Sequence, residues 1–154
     1  MSTSDWTTWF RNAEDHLTMA KRAMEAELDE IAYEKAVYAG ECALKAVLIK
    51  EGKFSRDDWT HDQKKICQKI RELAILSDET QQKINDIVEG TTEMDGISHV
   101  DLTVESSHQD CPHIAQTRYP TDNYTSYDML KSGNAEEKIH LAQEMIKILR
   151  DELF

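Results

Sequence analysis

Glycine and proline are scarce in this chain, five and two in 154 residues. So few breakers do not furnish the many tight turns of a sheet sandwich, and abundant Ala, Glu, Lys, Leu and Ile favour helices instead. Cysteine is too sparse for a disulfide framework. Cys42, Cys67 and Cys111 are an odd count, and two of them fall at apolar positions of helical patterns, as free buried thiols of a reducing compartment do. Basic residues are outnumbered 18 to 30, and the net charge of −12 excludes a surface that grips nucleic acid broadly through its phosphates. A small local basic site is still compatible with it. No apolar run approaches the roughly 20 residues of a spanning helix. The start MSTSDWTTWFRNAEDH also lacks a basic segment followed by an apolar one. The expectation is a cytoplasmic protein with no membrane association.

What the chain does have is apolar periodicity, enough for one domain over residues 1–154 with a core of its own. The stretch Ile31–Glu51, IAYEKAVYAGECALKAVLIKE, is apolar or small almost all round. On a helix, Glu34, Glu41 and Lys45 fall within about 40° of one another and make one narrow polar stripe. Such a helix belongs at the centre of a bundle, its alanines letting neighbours approach closely.

Around it the spacing predicts four more helices. Trp6, Trp9, Phe10, Ala13, Leu17, Ala20, Met24 and Leu28 mark one over Asp5–Asp29, its two tryptophans placed in the core or at an interface. After Gly52 and the polar run KFSRDDWTH, a third helix starts near Asp62 with a stripe of Ile66, Ile70, Leu73 and Ala74. Ser77 and Asp78, with Gln81 as in a capping box, open a fourth that ends by Gly90. Residues 91–133 hold both prolines and no sustained helical period, with an alternating extended stretch at His99–Glu105. An irregular segment of this length is usually functional or disordered. Asn134 and Glu137 then cap a last helix through Ile139, Ala142, Ile146, Leu149 and Leu153. The fold class is all-α, a five-helix bundle with a long irregular segment before its last helix.

Several groups could carry chemistry. Glu41 and Lys45, four apart, make a helix ion pair at least, and on so apolar a helix they are partly buried and in need of partners. His108, Cys111 and His113, with His99 as a fourth, have ligand-like spacing, but without a Cys-x-x-Cys pair solvated loop residues explain them better than a metal site. Lys64, Lys65, Lys69 and Arg71 form a small basic face on the third helix, which most often means a solvated surface. Nothing calls for a cofactor.

Taken together, YAGECALKAVLIKEGKF, THDQKKI, TRYPTDNY and AEEKIHLAQEMIKIL resemble the HEPN family (higher eukaryote and prokaryote nucleotide-binding). The resemblance implies a compact, usually dimeric helical bundle. It matches Glu41 and Lys45 to the Glu and Lys of the family's second helix, His61 to the His opening the next, and Arg118, Tyr119 and Pro120 to the turn before the last. It also implies two kinds of function. Some members are metal-independent ribonucleases built on an Arg and a His with four to six residues between them; others bind nucleotides or partner proteins, often minimal nucleotidyltransferases in toxin–antitoxin pairs.

Two Arg-His spacings of the nuclease kind occur where about 0.7 would arise by chance. Arg11 and His16 lie in one helix with side chains about 140° apart. Arg56 and His61 lie in the loop before the third helix, a more permissive setting. Arg118 is followed at the permitted distances by Asn123, Tyr124 and Thr125, none of which exchanges a proton near neutral pH as histidine does. The leading expectation is therefore a dimeric binding protein for a nucleotide, an RNA or a partner, with Arg118 and Tyr119 at the phosphate and Glu41 and Lys45 positioning them. The alternatives are a ribonuclease using Arg56 and His61, and a pure interaction module.

Overall fold

The computed structural model describes residues 5–94 and 134–154. Five α-helices are present among them: α1 Trp6–Glu25, α2 Asp29–Lys50, α3 Gln63–Glu72, α4 Asp78–Met94 and α5 Asn134–Leu153. A single 3-10 turn, Arg56–Asp58, lies between α2 and α3, and no strand occurs among the described residues. The fold is the all-α bundle the sequence led us to expect.

α2 sits at its centre, packed against α1, α3 and α5. Every residue from Ala39 to Ile49 is buried, including Glu41 and Lys45, while Glu34 at the outer end of the polar stripe is only half-buried. Ala32, Ala36, Ala39, Ala43 and Ala46 of α2 and Ala13, Ala20 and Ala23 of α1 are all in the core. A seam of methyl groups lets the two backbones come close and leaves the larger side chains, Leu44 and Leu48 among them, to fill the interior. α5 closes the far side with Ile139, Ala142, Met145, Ile146 and Leu149. Its Glu152 accepts the Ser77 N–H at 2.8 Å, and its Arg150 bridges to Glu14 of α1 at 2.7 Å.

Helix starts follow side-chain chemistry. Asp5 caps α1, accepting the Thr8 N–H at 3.2 Å, and the hydroxyls of Thr7 and Thr8 with that N–H hold its carboxyl down to about 2. Ser77 caps α4 by accepting the Thr80 N–H at 3.3 Å. Gln81 is not part of that cap, contrary to the capping-box reading: its amide is buried and donates to Asn85 Oδ1 at 2.9 Å.

Three helix ends share one backbone closure, in which the first residue past the cap is left-handed and the next N–H reaches back five residues. For α2 that residue is Gly52 at φ 67°, with Lys53 N–H on Leu48 O at 2.8 Å. For α1 it is Glu27 at φ 60°, with Leu28 N–H on Ala23 O at 2.8 Å, and for α3 it is Ala74 at φ 53°, with Ile75 N–H on Ile70 O at 3.4 Å. This corrects two expected boundaries: α1 stops at Glu25 rather than Asp29, and Leu73 and Ala74 lie beyond α3. Glycine marks the first closure in the sequence, but Glu27 and Ala74 give no such sign. A left-handed backbone costs a residue with a Cβ roughly 1–2 kcal/mol. Glu27→Gly and Ala74→Gly are therefore each expected to stabilise the protein by about 0.5–1 kcal/mol in thermal melts, after allowing for glycine's extra chain entropy.

α4 supplies a third correction, since it runs through Gly90 to Met94. A Cβ at Gly90 would meet open space, and a glycine in such a turn weakens a helix by about 1 kcal/mol without ending it. The segment expected to be irregular thus loses residues 91–94 to α4. Its remainder, with the His99–Glu105 stretch, lies outside the described residues.

Candidate functional site

Where α2 faces the loop before α3, the buried stripe becomes a site. The Glu41 carboxylate lies 3.1 and 3.0 Å from His61 Nδ1 through its two oxygens, and Lys45 Nζ stands 3.6 Å from Glu41 Oε2. Glu41 and Lys45 side chains are 3% and 6% exposed, whereas that of His61 is 45% exposed. An ionised carboxylate offers only acceptors, so the shared hydrogen is on Nδ1 and the Nε2 lone pair is left for another partner. Tyr38, one turn before Glu41, meets the His61 ring edge-on at 5.9 Å and braces it from a second side.

The loop that carries His61 is itself pinned. Asp58 closes the 3-10 turn on the Ser55 N–H at 2.7 Å and takes the Lys69 ammonium of α3 at 2.6 Å. Burial pushes the Asp58 carboxyl up, but Lys69 and Ser55 outweigh it and hold the group below the usual carboxylate range. Thr60 accepts the Asp62 N–H at 3.1 Å, and Asp62 caps α3 through the N–H groups of Lys64 and Lys65 at 3.0 and 3.3 Å. Gln63 then docks α3 onto α2, donating to Val37 O at 3.1 Å beside Gly40, where a Cβ would come within 2.9 Å of its amide nitrogen. Of the basic face expected on α3, Lys69 is thus a loop clamp; Lys64, Lys65 and Arg71 are exposed.

Aromatic side chains line the same region. Trp59, 54% exposed, contacts Phe54 at 5.3 Å and Trp9 of α1 at 5.8 Å, and Lys45 Nζ lies 5.8 Å from its ring centre. On the other side of Tyr38 stands His16 of α1, ring to ring at 5.8 Å. Burial and the nearby Lys35 hold the His16 pKa down, so it is neutral over more of the pH range than an exposed histidine. The Cys42 thiol, beside Asn12 of α1, is pushed up to about 11 by burial and the neighbouring Glu41, and Cys67 likewise to about 11 by burial. Both cysteines are free and buried as expected, and neither is poised as a nucleophile.

Glu41, Lys45 and His61 are therefore brought together. Arg56 lies exposed in the 3-10 turn while His61 is turned to Glu41. Arg118 and Tyr119, like His99, His108, Cys111 and His113, lie outside the described residues. No group of three potential metal ligands occurs among the described residues, and no described helix is long and apolar enough to cross a membrane. Sequence reasoning missed Tyr38, Trp59 and the buried Lys138 of α5, whose ammonium sits 5.1 Å over the Tyr33 ring, and it weighed His16 only as a partner of Arg11. Tyr38 was within reach, being three residues from Glu41 on the same helix face. Trp59 lies in a loop, where periodicity carries no signal.

Comparison with known families matches residues 6–152 to the HEPN domain. Neither a curated protein nor a solved structure gives a match.

Proposed function

The chain belongs to the HEPN-domain family, and on that premise we propose that it binds a nucleotide or an RNA end at His61, backed by Glu41 and Lys45. The observation that carries this reading is the double hold on His61, a half-exposed imidazole fixed through Nδ1 by a buried carboxylate and through its ring by Tyr38. Such a ring meets a phosphate oxygen through Nε2 once protonated, with little orientation left to lose on binding. A net charge of −12 suits one or a few phosphates rather than a long strand. Arg118 and Tyr119, which the resemblance matches to the family's turn before the last helix, are the further phosphate contacts of this reading, as a guanidinium with backbone donors at a helix start. A homodimer in the cytoplasm, paired with a minimal nucleotidyltransferase in a toxin–antitoxin system, is the setting this reading favours.

Calorimetry with a nucleotide panel tests it. His61→Ala and Arg118→Ala are each expected to weaken binding by about tenfold or more, the loss of one charge-assisted hydrogen bond. Unchanged affinity in both variants would sink the phosphate site, and no binding by the unmodified protein would leave an interaction module.

The Glu41–His61 pair also favours a second reading, because a carboxylate-oriented imidazole is the geometry of a general base. A metal-independent ribonuclease would then use His61 with Arg56 or Arg118. Cleavage of RNA in chelator, abolished by His61→Ala, is the result that would move the reading there.

A further inference from the structure

Trp59 has no role in holding the ion pair or the bundle that would require its exposure. It is the largest side chain of the loop, and over half of it is open to solvent. Yet it is not loose. Phe54 meets it at 86° and 5.3 Å, and Trp9 at 58° and 5.8 Å. Phe54 and Trp9 also contact each other at 5.9 Å, so the three rings brace one another through tilted and edge-on contacts, with no parallel stacking on the indole. The Asp58–Lys69 clamp fixes the backbone directly before it.

An exposed tryptophan is often a protein-docking anchor, but such anchors sit in continuous apolar patches. The surroundings of Trp59 do not fit that. Phe154, 63% exposed, packs on Trp6 and Phe10 at 4.9 and 5.4 Å with Arg150 over its ring, and among the described residues it makes no ring contact with Trp9, Phe54 or Trp59. Leu28 and Ile31 flank the turn past the far end of α1 from Trp9, Met19 is ten residues along α1, and Leu73 follows the opposite end of α3. At 1.5 Å per residue these lie roughly 15 Å or more along their helices from the Trp9–Trp59 contact. Trp59 stands out from the Phe54–Trp9 pair on a polar stretch of loop, with exposed Arg56 and Asp57 just before it in the chain and half-buried His61 two residues after it. Lys45 joins the ring to the phosphate-facing group: its ammonium is 5.8 Å from the indole and 3.6 Å from the carboxylate that holds His61. The same ammonium offsets the Glu41 charge, so the wall behind the site is not itself repulsive to an anion.

We propose that Trp59 is the base-stacking wall of the site, so that the ligand is a nucleotide with an unpaired base, bound by its ring at Trp59 and by its phosphate at His61. This rests on the phosphate reading of His61 and adds the half of the ligand that reading leaves unnamed. A flat indole face accepts a base regardless of sequence, and stacking of this kind contributes about 5- to 150-fold in affinity by substitution. A base locked in a duplex has no free face to offer.

The test uses adenosine 5′-monophosphate and ribose 5-phosphate as probes, with calorimetry and tryptophan fluorescence on the full chain. The unmodified protein is expected to bind the nucleotide with quenching, and ribose 5-phosphate at least about fivefold more weakly. Trp59→Leu should lower nucleotide affinity to that of ribose 5-phosphate and leave ribose 5-phosphate itself unchanged. Trp59→Phe should keep most of the nucleotide affinity, and its retention also shows that the loop tolerates substitution. Equal binding of the two probes, or nucleotide binding untouched by Trp59→Leu while His61→Ala abolishes it, overturns the stacking wall and leaves the phosphate site standing. Failure of both probes to bind overturns the two together.

Discussion

Replacing Glu41 by alanine is expected to cost the protein about 3–5 kcal/mol, because it strands the Lys45 ammonium in the interior without its carboxylate. The geometry behind the figure is a pair 3.6 Å apart with both side chains at least nine-tenths buried. A surface pair at the same four-residue spacing would cost only a few tenths. Lys45 keeps its approach to the Trp59 ring, but a ring quadrupole does not replace a full charge in so dry a setting. The double variant Glu41→Leu, Lys45→Met removes both charges and should recover most or all of the loss, since exchanging a whole buried pair for apolar groups of similar size is commonly neutral or better. Urea unfolding followed by circular dichroism reads both. A loss below about 1 kcal/mol for Glu41→Ala would mean that water reaches Lys45 in solution. The pair would then be an ordinary helix bridge with no bearing on the site.

A loss of about 2–5 kcal/mol is expected for Leu48→Ala, from the lost transfer energy and the cavity left behind. Leu48 is fully buried on the innermost helix, between elements whose alanine seams already set the closest approach. Every α2 residue from Ala39 to Ile49 is buried around it, so no solvent reaches the gap, and the figure should fall in the upper half of that range. Against a typical total stability of about 5–15 kcal/mol, this brings the chain within reach of unfolding at ordinary temperature. Leu73→Ala supplies the contrast: the same chemical change at an exposed position past the end of α3 should stay within about 0.5 kcal/mol of zero. Equal losses at the two leucines would contradict the placement of α2 at the centre.

The parts of this fold that were legible in the sequence are those governed by period or by a single residue's chemistry. The burial of α2, the polar stripe of Glu41 and Lys45, the cap at Ser77, the start of α3 near Asp62 and the stop at Gly52 belong to this group. The ends of α1 and α3 were not legible, because Glu27 and Ala74 take a backbone conformation that their side chains disfavour, and only the surrounding packing holds them there. Nor was the end of α4, where Gly90 looks like a stop and is merely a helical residue in open space. For the site, sequence spacing joins Glu41 to Lys45 but is silent on His61, twenty residues away in a loop. That pairing depends on how Asp58, Thr60 and Gln63 fold the loop back onto α2, a tertiary fact with no local signature.

The bridge between Glu14 and Arg150 closes a span of 136 residues, while α1 and α2 meet across residues 26–28 alone. Chain entropy treats these contacts very differently. The hairpin of α1 and α2 costs little to close and gains its alanine seam at once, whereas α5 must be brought home from the far end of the polymer before any of its contacts count. The innermost helix thus acquires one neighbour by simple proximity and another only by a long-range encounter. The cooperativity of the bundle is vested in its last helix.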